Sequence, residues 1–323
     1  MKRNVFSLSF VLMLAFTLVL AGCGSLGGGG EAEADPEEVS MLTGGTGGTY
    51  FPLGGEIAEI MSKNTEKSIS AQASGASVEN IQTLQDGDAD LAFTQTDIAS
   101  YAVEGKMMFK DAKSDNVQAI GTLYPETIQI VVMKNSDIKS VEDLKGKSVS
   151  IGDIGSGTAE NAKQILEVHG ISTDDIEVKN LPFDESAELL QDGELDAAFI
   201  TSGAPTGAIE GLSALKPVRI LPIADDKAKE LSEKYPYYAQ DTIPSGTYQL
   251  EEEVNTVAVL AMLVVRKDLS EDAVYNLTKA FFDNVGDIKH AKGEKISAEN
   301  ALNGVGIDLH PGAEKYYKEK GLK

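Results

Sequence analysis

The sequence predicts an α/β fold in which two lobes are joined by long strands and face each other across a cleft. Three observations support this prediction. A strand–loop–helix–strand–helix–strand pattern occurs twice, the first loop of each copy is rich in glycine, and a long apolar run follows each copy. Alternating strands and helices are typical of parallel sheets with crossover helices. The long runs can carry the chain from one lobe to the other and back.

The first 22 residues have the pattern of a signal peptide. Lys2 and Arg3 precede an apolar run over residues 6–20, which is shorter than the roughly 20 apolar residues that span a membrane. The run ends in Leu-Ala-Gly-Cys, a motif similar to a bacterial lipobox, whose cysteine is lipidated with palmitate. The alternative is an ordinary signal peptide with Cys23 near its cleavage site. We expect a signal peptide over 1–22 and a lipid on Cys23, which is the only cysteine of the chain.

Composition and charge indicate how the protein is held in place. Residues 23–38 are rich in glycine and acids and almost free of large apolar side chains, which is typical of a flexible tether. The formal net charge of −23 disfavours nucleic acid as a partner, because phosphate contacts need clustered lysine and arginine. It also disfavours electrostatic adhesion to anionic lipid. We therefore expect an extracytoplasmic protein that is anchored to the cell membrane by its lipid.

The internal repeat is clearest in two ten-residue segments. These segments are LQDGDADLAF (84–93) and LQDGELDAAF (190–199). Each contains a glycine, Gly87 or Gly193, at the point where a helix places its C-terminal glycine. Each then continues as a short apolar strand, so we interpret Asp90 and Asp196 as turn or cap residues away from the cleft. A chance similarity is the alternative, since Asp-Gly ends many helices.

Two long apolar runs, over 126–138 and 254–269, predict the strands that cross between the lobes. The chain would leave the first lobe near residue 127 and return near residue 255. The predicted divisions are lobe 1 at 39–126, lobe 2 with hinge strands at 127–254, and a return strand with C-terminal helices at 255–323. In this last part we predict helices over 270–284 and 297–302.

Ligands of open parallel sheets bind beyond the C-terminal ends of the strands, where both copies have a glycine-rich loop. The candidate binding residues of these loops are Gly45, Thr46, Gly47, Gly48, Thr49 and Tyr50 in the first copy and Ser156, Gly157 and Thr158 in the second. Neither loop fits a dinucleotide or phosphate motif, and no lysine occurs between residues 41 and 62. Exposed N–H groups at a helix start attract anions, so we expect a carboxylate ligand. The alternative is that the glycines only allow tight turns and that Thr49 and Thr158 cap helices.

Further polar residues at strand ends complete the predicted pocket. Ser77 either contacts the ligand or caps the helix that follows it. Glu79 and Asp97 are candidates to receive an ammonium group, with a solvated surface acid as the alternative for each. Gln95 directly follows the strand LAFT and would point into the cleft. A wall on the opposite side is predicted from Gly203, Ala204 and Pro205.

Catalysis and metal binding have little support in the sequence. His169, His290 and His310 are widely separated, and neither an H-E-x-x-H pattern nor a G-x-S-x-G elbow occurs. We therefore expect a protein that is not an enzyme and that needs no metal or cofactor. The only arginines after the signal peptide, Arg219 and Arg266, lie outside the loops. A bidentate arginine for a carboxylate would be available only if one of them folds inward.

The chain resembles the TAXI family of solute-binding proteins, which are the receptors of one class of tripartite ATP-independent periplasmic (TRAP) transporters. The motifs that carry the resemblance are TGGTGGTYFPLGG (43–55), GASVENIQTLQDGDADLAFTQTD (75–97), LYPETIQIVV (123–132), VEDLKGKSVSIGDIGSGT (141–158), LLQDGELDAAFITSGAPTGAI (189–209), PYY (236–238), IPSGTY (243–248) and LHPGAEKYY (309–317).

This resemblance implies a type II periplasmic-binding-protein fold, in which two α/β lobes close on a ligand. It implies capture of a small organic acid or amino acid such as glutamate, and delivery to integral membrane subunits of a TRAP transporter. It also adds Val78 and, more weakly, Tyr248 to the binding residues. We expect a monomer. The alternatives are a ligand-sensing subunit of a signalling system with the same fold, and an extracellular enzyme that uses the same cleft.

Overall fold

The computed structural model describes residues 35–323. The predictions for the signal peptide, for Cys23 and for most of the tether lie outside the described residues. Within residues 35–323, no helix combines the length and the apolar character needed to cross a membrane.

The first copy of the repeated pattern forms three strands and two helices. Its elements are β1 (Glu38–Leu42), α1 (Tyr50–Asn64), β2 (Ser68–Gln72), α2 (Ser77–Asp86) and β3 (Leu91–Gln95), and α3 (Thr96–Glu104) follows them. Helix α2 ends at Gly87, whose φ of 81° is a left-handed conformation that glycine adopts without strain. The predicted helix end at this position is therefore confirmed.

A strand of 17 residues, β4 (Val117–Met133), leads to the second copy. The elements of that copy are β5 (Ser148–Ser150), α4 (Gly157–Val168), β6 (Glu177–Lys179), α5 (Phe183–Asp192) and β7 (Ala197–Ser202). The chain continues with α6 (Gly207–Leu215), β8 (Val218–Leu221), α7 (Asp225–Lys234) and β9 (Ala239–Ile243). It returns through β10 (Val254–Arg266) and ends with α8 (Glu271–Phe282) and α9 (Pro311–Glu319).

All these strands belong to one mixed sheet with the main order β2-β1-β3-β10-β4-β7-β5-β6. The outer groups β2-β1-β3 and β6-β5-β7 are each parallel and have the same internal order, which confirms the predicted repeat. Strands β10 and β4 are antiparallel to each other and to the group that each one borders. The two groups therefore run in opposite directions along this central pair. As a result, their C-terminal edges face each other near the middle of β4.

Helices cover both faces of the sheet in each half. Along β10, Leu263 packs with α1, α8 and α9, whereas its neighbour Val264 packs with α2 and α3. Along β7, Phe199 packs with α4 and α7, whereas Ile200 packs with α5 and α6. Successive side chains of a strand point to opposite faces, so each half has three layers. This arrangement confirms the predicted α/β class.

Asp90 and Asp196 make equivalent contacts in the two groups. Asp90 Oδ2 accepts hydrogen bonds from the N–H (2.8 Å) and Oγ (3.0 Å) of Ser40 in β1. Asp196 Oδ2 accepts them from the N–H (2.9 Å) and Oγ (3.1 Å) of Ser148 in β5. Each aspartate ties the start of the third strand of its group to the first strand. Both residues lie at the opposite end of the strands from the facing edges, as predicted.

The helix predicted over 297–302 is wrong, because this segment forms turns. Its carbonyl groups bind β4 instead of helical N–H groups. Ala301 O accepts a hydrogen bond from Thr122 N (2.9 Å), and Asn303 O accepts one from Thr122 Oγ1 (3.0 Å). The segment comes this close because residue 121 is a glycine, where a Cβ would lie 3.0 Å from Ala301 Cβ.

The first crossing strand begins at Val117 rather than near residue 126, where the apolar run starts. Pro125 lies within it, opposite Leu260 and next to a register shift in the β4–β10 ladder. A proline is tolerated at such an irregularity because its missing N–H costs no regular ladder bond.

Candidate functional site

The facing edges of the two strand groups enclose a cavity next to the middle of β4. Its volume is about 50 Å³, counted as the space open to the centre of a water molecule. That space holds several ordered waters or a small polar ligand. The loop from β1 to α1 and the loop from β5 to α4 both border it, as the sequence predicts.

Half of the predicted site residues line this cavity. They are Gly45, Gly48, Thr49, Tyr50, Ser77, Gln95, Ser156, Gly157 and Thr158. The other predicted residues lie around it without lining it. These are Thr46, Gly47, Val78, Glu79, Asp97, Gly203, Ala204, Pro205 and Tyr248. Most residues of this second set take part in contacts between the two halves.

The first glycine-rich loop binds directly to the end of β7. Thr49 N donates a hydrogen bond to Ser202 Oγ (3.1 Å), and Ser202 Oγ donates to Thr49 Oγ1 (3.0 Å). Thr49 Oγ1 in turn donates to Gly203 O (3.3 Å). Thr49 occupies the cap position of α1, but its side chain makes no capping hydrogen bond. The side chain of Thr49 therefore joins the two halves and does not cap its own helix.

A neighbouring contact joins Gly47 and Thr46 to the second half. Gly47 O accepts a hydrogen bond from Ala208 N (3.1 Å), and Thr46 Oγ1 donates to Asp184 Oδ2 (3.1 Å). A Cβ at Gly47 would lie 3.0 Å from Asp184 N. Glycine at position 47 therefore allows the backbone of α5 to approach.

The second loop makes the reciprocal contact with the start of α2. Gly155 O accepts hydrogen bonds from Val78 N (2.8 Å) and Glu79 N (3.1 Å). Two first-turn donors of α2 are thus bound to the other half of the protein. The cap position of α2 is Ala76, so Ser77 is the first helical residue and not the N-cap. In α4 the cap is Ser156, whose Oγ accepts from Ala159 N (3.2 Å), and Thr158 lies in the first turn.

Glu126 is a cavity-lining residue that the sequence reasoning missed. It is 2% exposed, and its Oε2 accepts a hydrogen bond from the Tyr50 hydroxyl (2.6 Å). Burial raises the pKa of the Glu126 carboxyl well above its usual range, the bond from Tyr50 offsets part of this rise, and the nearby Asp97 adds to it. Its position follows from the topology, because β4 passes from one half to the other at this residue. The available signal was an acid at the start of the apolar run over 126–138.

Asp97 lies behind the cavity, where α3 meets α4. Its Oδ2 accepts a hydrogen bond from Asn161 Nδ2 (2.9 Å), which also donates to the Tyr238 hydroxyl (2.8 Å). Burial raises the pKa of Asp97 to about 7, although hydrogen bonds from Ile98 N and Asn161 act against this rise. Asp97 therefore contributes to a buried polar contact between the halves.

The segment Gly203–Pro205 directly follows the lining residue Ser202 but does not itself line the cavity. Lys292 Nζ donates a hydrogen bond to Ala204 O. Tyr248 is buried next to this segment, where its hydroxyl donates to Gln129 Oε1 (2.5 Å) and accepts from Thr206 N (2.6 Å). These contacts hold the loop after β7 in place.

Neither arginine reaches the cavity. The Arg219 guanidinium donates to the carbonyl groups of Lys134 (2.8 Å) and Ile138 (2.9 Å). Arg266 Nε lies 3.3 Å from carboxylate oxygens of both Asp90 and Asp268. Among residues 35–323, no lysine, arginine or histidine lines the cavity. In the same part of the chain, no three His, Cys, Asp or Glu side chains are grouped as a metal site.

Two lining side chains have a buried polar atom without a hydrogen-bond partner in the described part of the chain. These atoms are Gln95 Oε1 and Thr201 Oγ1. Buried polar groups are normally paired, so each such group needs an explanation. A ligand with N–H or O–H donors would pair them.

Comparisons with known proteins show which solved structures and which family this chain resembles. A protein from Bordetella bronchiseptica RB50 is similar at 17% identity, with a TM-score of 0.54 and coverage of 89% of this chain and 82% of that chain. A protein from Archaeoglobus fulgidus is similar at 12% identity, with a TM-score of 0.50 and coverage of 89% and 99%. The alkanesulfonate-binding protein SsuA from Xanthomonas axonopodis pv. citri, bound to MOPS, has 15% identity, a TM-score of 0.49 and coverage of 88% and 85%. Residues 41–321 match the model of the NMT1-like family. Because this match covers most of the chain, the protein belongs to the NMT1-like family.

Proposed function

We propose that the protein is an extracytoplasmic solute receptor that captures a small organic acid or amino acid, such as glutamate, in the cavity described above. We further propose that it delivers this solute to the integral membrane subunits of a TRAP transporter of the TAXI type. The observation that carries the proposal is the convergence of two glycine-rich loops, one from each half of the sheet, on a single small cavity. The TAXI motifs of the sequence support the choice of transporter.

The helix starts at the cavity suit an anionic group. The N–H groups in the first turn of a helix have no partner within that helix, and the helix dipole favours negative charge there. Helix α1 begins at Tyr50 and α4 begins at Gly157, and both residues line the cavity. Thr158 adds a hydroxyl next to the start of α4. A carboxylate between the two starts would receive backbone donors from both halves.

Capture would work by closure without covalent chemistry. The direct contacts of Thr49 with Ser202, and of Val78 with Gly155, correspond to a closed arrangement. A solute that touches both loops binds the closed form better than the open form, and only this difference in affinity shifts the population. The membrane subunits would recognise the closed form and trigger release.

The signal peptide, the tether and Cys23 support an extracytoplasmic position on the cell membrane. We propose that Cys23 carries the lipid anchor. The test is Cys23→Ser, which should move the protein from the membrane fraction to the soluble fraction of fractionated cells. A Cys23→Ser protein that stays with the membrane would contradict the anchor.

A thermal-shift screen of amino acids and organic acids on the purified full-length chain tests receptor function. A true ligand at a hundredfold excess over its dissociation constant stabilises the folded protein by about 2.7 kcal/mol. Gly48→Val should abolish this shift, because its Cβ would touch the Phe183 ring at 3.4 Å and its methyl groups would fill the cavity. Gly55→Val is the matched control, since a Cβ at this α1 residue meets nothing within 4 Å. Normal binding by Gly48→Val would contradict the proposed site.

A further inference from the structure

The lining of the cavity includes two carboxyl groups and two buried polar atoms without a partner in the described part of the chain. Glu126 contributes a carboxyl group, and Gln95 Oε1 and Thr201 Oγ1 are buried without a partner in the described part of the chain. Asp153 adds a second carboxyl group at the lining. Within residues 35–323, the lining contains no basic side chain to balance them. An anionic solute alone would leave both carboxyl groups without a positive partner.

Among these groups, Glu126 is the carboxyl group whose burial is least favourable in the ionised form. A carboxylate that is enclosed without a cation is strongly unfavourable, so it must gain either a proton or a positive partner. The titratable groups that face it are Tyr50 on α1, Asp97 at the start of α3 and Tyr124 on its own strand. Strand β10 places Val259 beside it, and β7 adds the uncharged Ser202 to the cavity. All the facing titratable groups are acids or phenols, so the part of the chain that the structure describes supplies no positive partner for Glu126.

We propose that Glu126 receives a protonated amino group of the solute. This inference rests on the proposed receptor function and specifies which solutes the receptor accepts. An ammonium group carries a positive charge and three donors. It can therefore pair with the Glu126 carboxylate and also donate to Gln95 Oε1 and Thr201 Oγ1. The carboxylate of the same solute would face the starts of α1 and α4, so that an amino acid would match both sides of the cavity.

This assignment separates solutes by their amino group. A solute that carries the amino group allows Glu126 to stay ionised when the cavity closes. An acid that lacks the amino group forces Glu126 to take up a proton, or to be enclosed as an unpaired charge. Organic acids without an amino group should therefore bind much more weakly than the matching amino acids.

The test uses solute pairs that differ only in the amino group, titrated calorimetrically into the full-length protein. The pairs are L-glutamate with glutarate and L-alanine with propionate. For at least one pair, the amino acid should bind at least about 30-fold more tightly than its partner, since leaving a buried charge unpaired typically costs that much or more. At pH 7 the amino acid should bind without net proton uptake, which is measured by calorimetry in buffers of different ionisation enthalpy.

Glu126→Gln provides the decisive variant, because the amide keeps the size of the side chain and can still accept a hydrogen bond from Tyr50. It should weaken the amino acid at least about 30-fold and reduce the preference over the deaminated partner. Glu59→Gln is the matched control, since Glu59 is an exposed residue of α1 that pairs with Lys63. Circular dichroism and thermal melting show whether each variant is folded. If Glu126→Gln does not fold, the comparison of solute pairs on the unmodified protein still tests whether the receptor recognises the amino group.

The outcomes separate the two proposals. If the unmodified protein binds both members of a pair equally, or takes up about one proton with the amino acid, the amino-group assignment is overturned and the receptor function stands. The same holds if a folded Glu126→Gln protein keeps the preference. If no member of either pair and no other amino acid or organic acid binds, both proposals fail together.

Discussion

The carboxamide of Gln95 lies directly against Gly157, so that a Cβ built at position 157 would be 1.8 Å from Gln95 Oε1. Gln95 ends β3 in one half, and Gly157 begins α4 in the other. Gln95 is only 2% exposed, and the free space next to its side chain is the cavity that it lines. A side chain at residue 157 would therefore push the Gln95 carboxamide into the cavity when the two halves meet.

Gly157→Ala should weaken solute binding at least about tenfold, because the added methyl group opposes closure and pushes the Gln95 carboxamide into the space that the solute would occupy. It should not unfold the second half, since alanine is favoured over glycine in helices by up to about 1 kcal/mol. Calorimetry would measure the affinity, and thermal melting without solute would measure stability. Closure on a solute should decrease the radius of gyration, which X-ray scattering measures. Gly157→Ala should lose this decrease, and the double variant Gly157→Ala with Gln95→Ala should restore it. Unchanged affinity in Gly157→Ala would contradict the closed contact.

The raised pKa of Asp97 should make the protein less stable as the pH rises. Its pKa is raised from 3.8 to about 7 in the folded protein, so the folded state holds a proton that the unfolded state has already lost. This contribution is fully present below about pH 4 and is lost as the pH rises through 7, at roughly 1.4 kcal/mol per pH unit in between. Asp97→Asn removes the titration and should be more stable than the unmodified protein at pH 8, with a smaller difference at pH 5. Melting curves of both proteins at the two pH values measure this effect, and parallel pH profiles would contradict it.

The two equivalent aspartates of the repeat should affect stability without affecting binding. Asp90→Ala and Asp196→Ala each remove an acceptor for an N–H and a hydroxyl, which typically costs about 1–3 kcal/mol of unfolding free energy. The cost should be larger at Asp90, which is buried and paired with Arg266, than at the more exposed Asp196. Urea denaturation measures the cost. A loss of solute affinity in either folded variant would contradict the assignment, because both residues lie at the far end of their strands.

Tyr248→Phe distinguishes a structural residue from a ligand contact. The resemblance to the TAXI family implies that Tyr248 binds the solute, but its hydroxyl is paired with Gln129 and Thr206 and does not line the cavity. We expect a loss of about 1–3 kcal/mol in unfolding free energy, because two buried groups lose their partner, and an affinity within about twofold of the unmodified protein. An affinity loss with unchanged stability would instead support direct contact with the solute.

The paired glycine loops could be predicted because their position depends only on local order along the chain. A glycine-rich loop that follows a parallel strand lies at the C-terminal edge of the sheet, whichever way the lobes are arranged. For this reason the sequence predicts Gly48, Thr49, Ser156 and Thr158 at this edge of the sheet, and all of them line the cavity.

The contacts between the halves could not be predicted, because they depend on how the two groups of strands meet. Val78 and Glu79 are candidate binding residues in the sequence analysis, but Gly155 O from the other half binds their N–H groups. Glu126 was missed for the same reason. The sequence pattern indicates an apolar strand there, but only the opposite directions of the two groups place that point of β4 between both loops.

The most direct test of the account is a crystal structure of the protein with a solute identified by the thermal-shift screen. We predict that the solute lies between Thr49 and Thr158, within hydrogen-bond distance of the starts of α1 and α4, with Glu126 on the opposite side. A solute bound outside this cavity, or lobes whose two glycine-rich loops do not face the same solute, would contradict it.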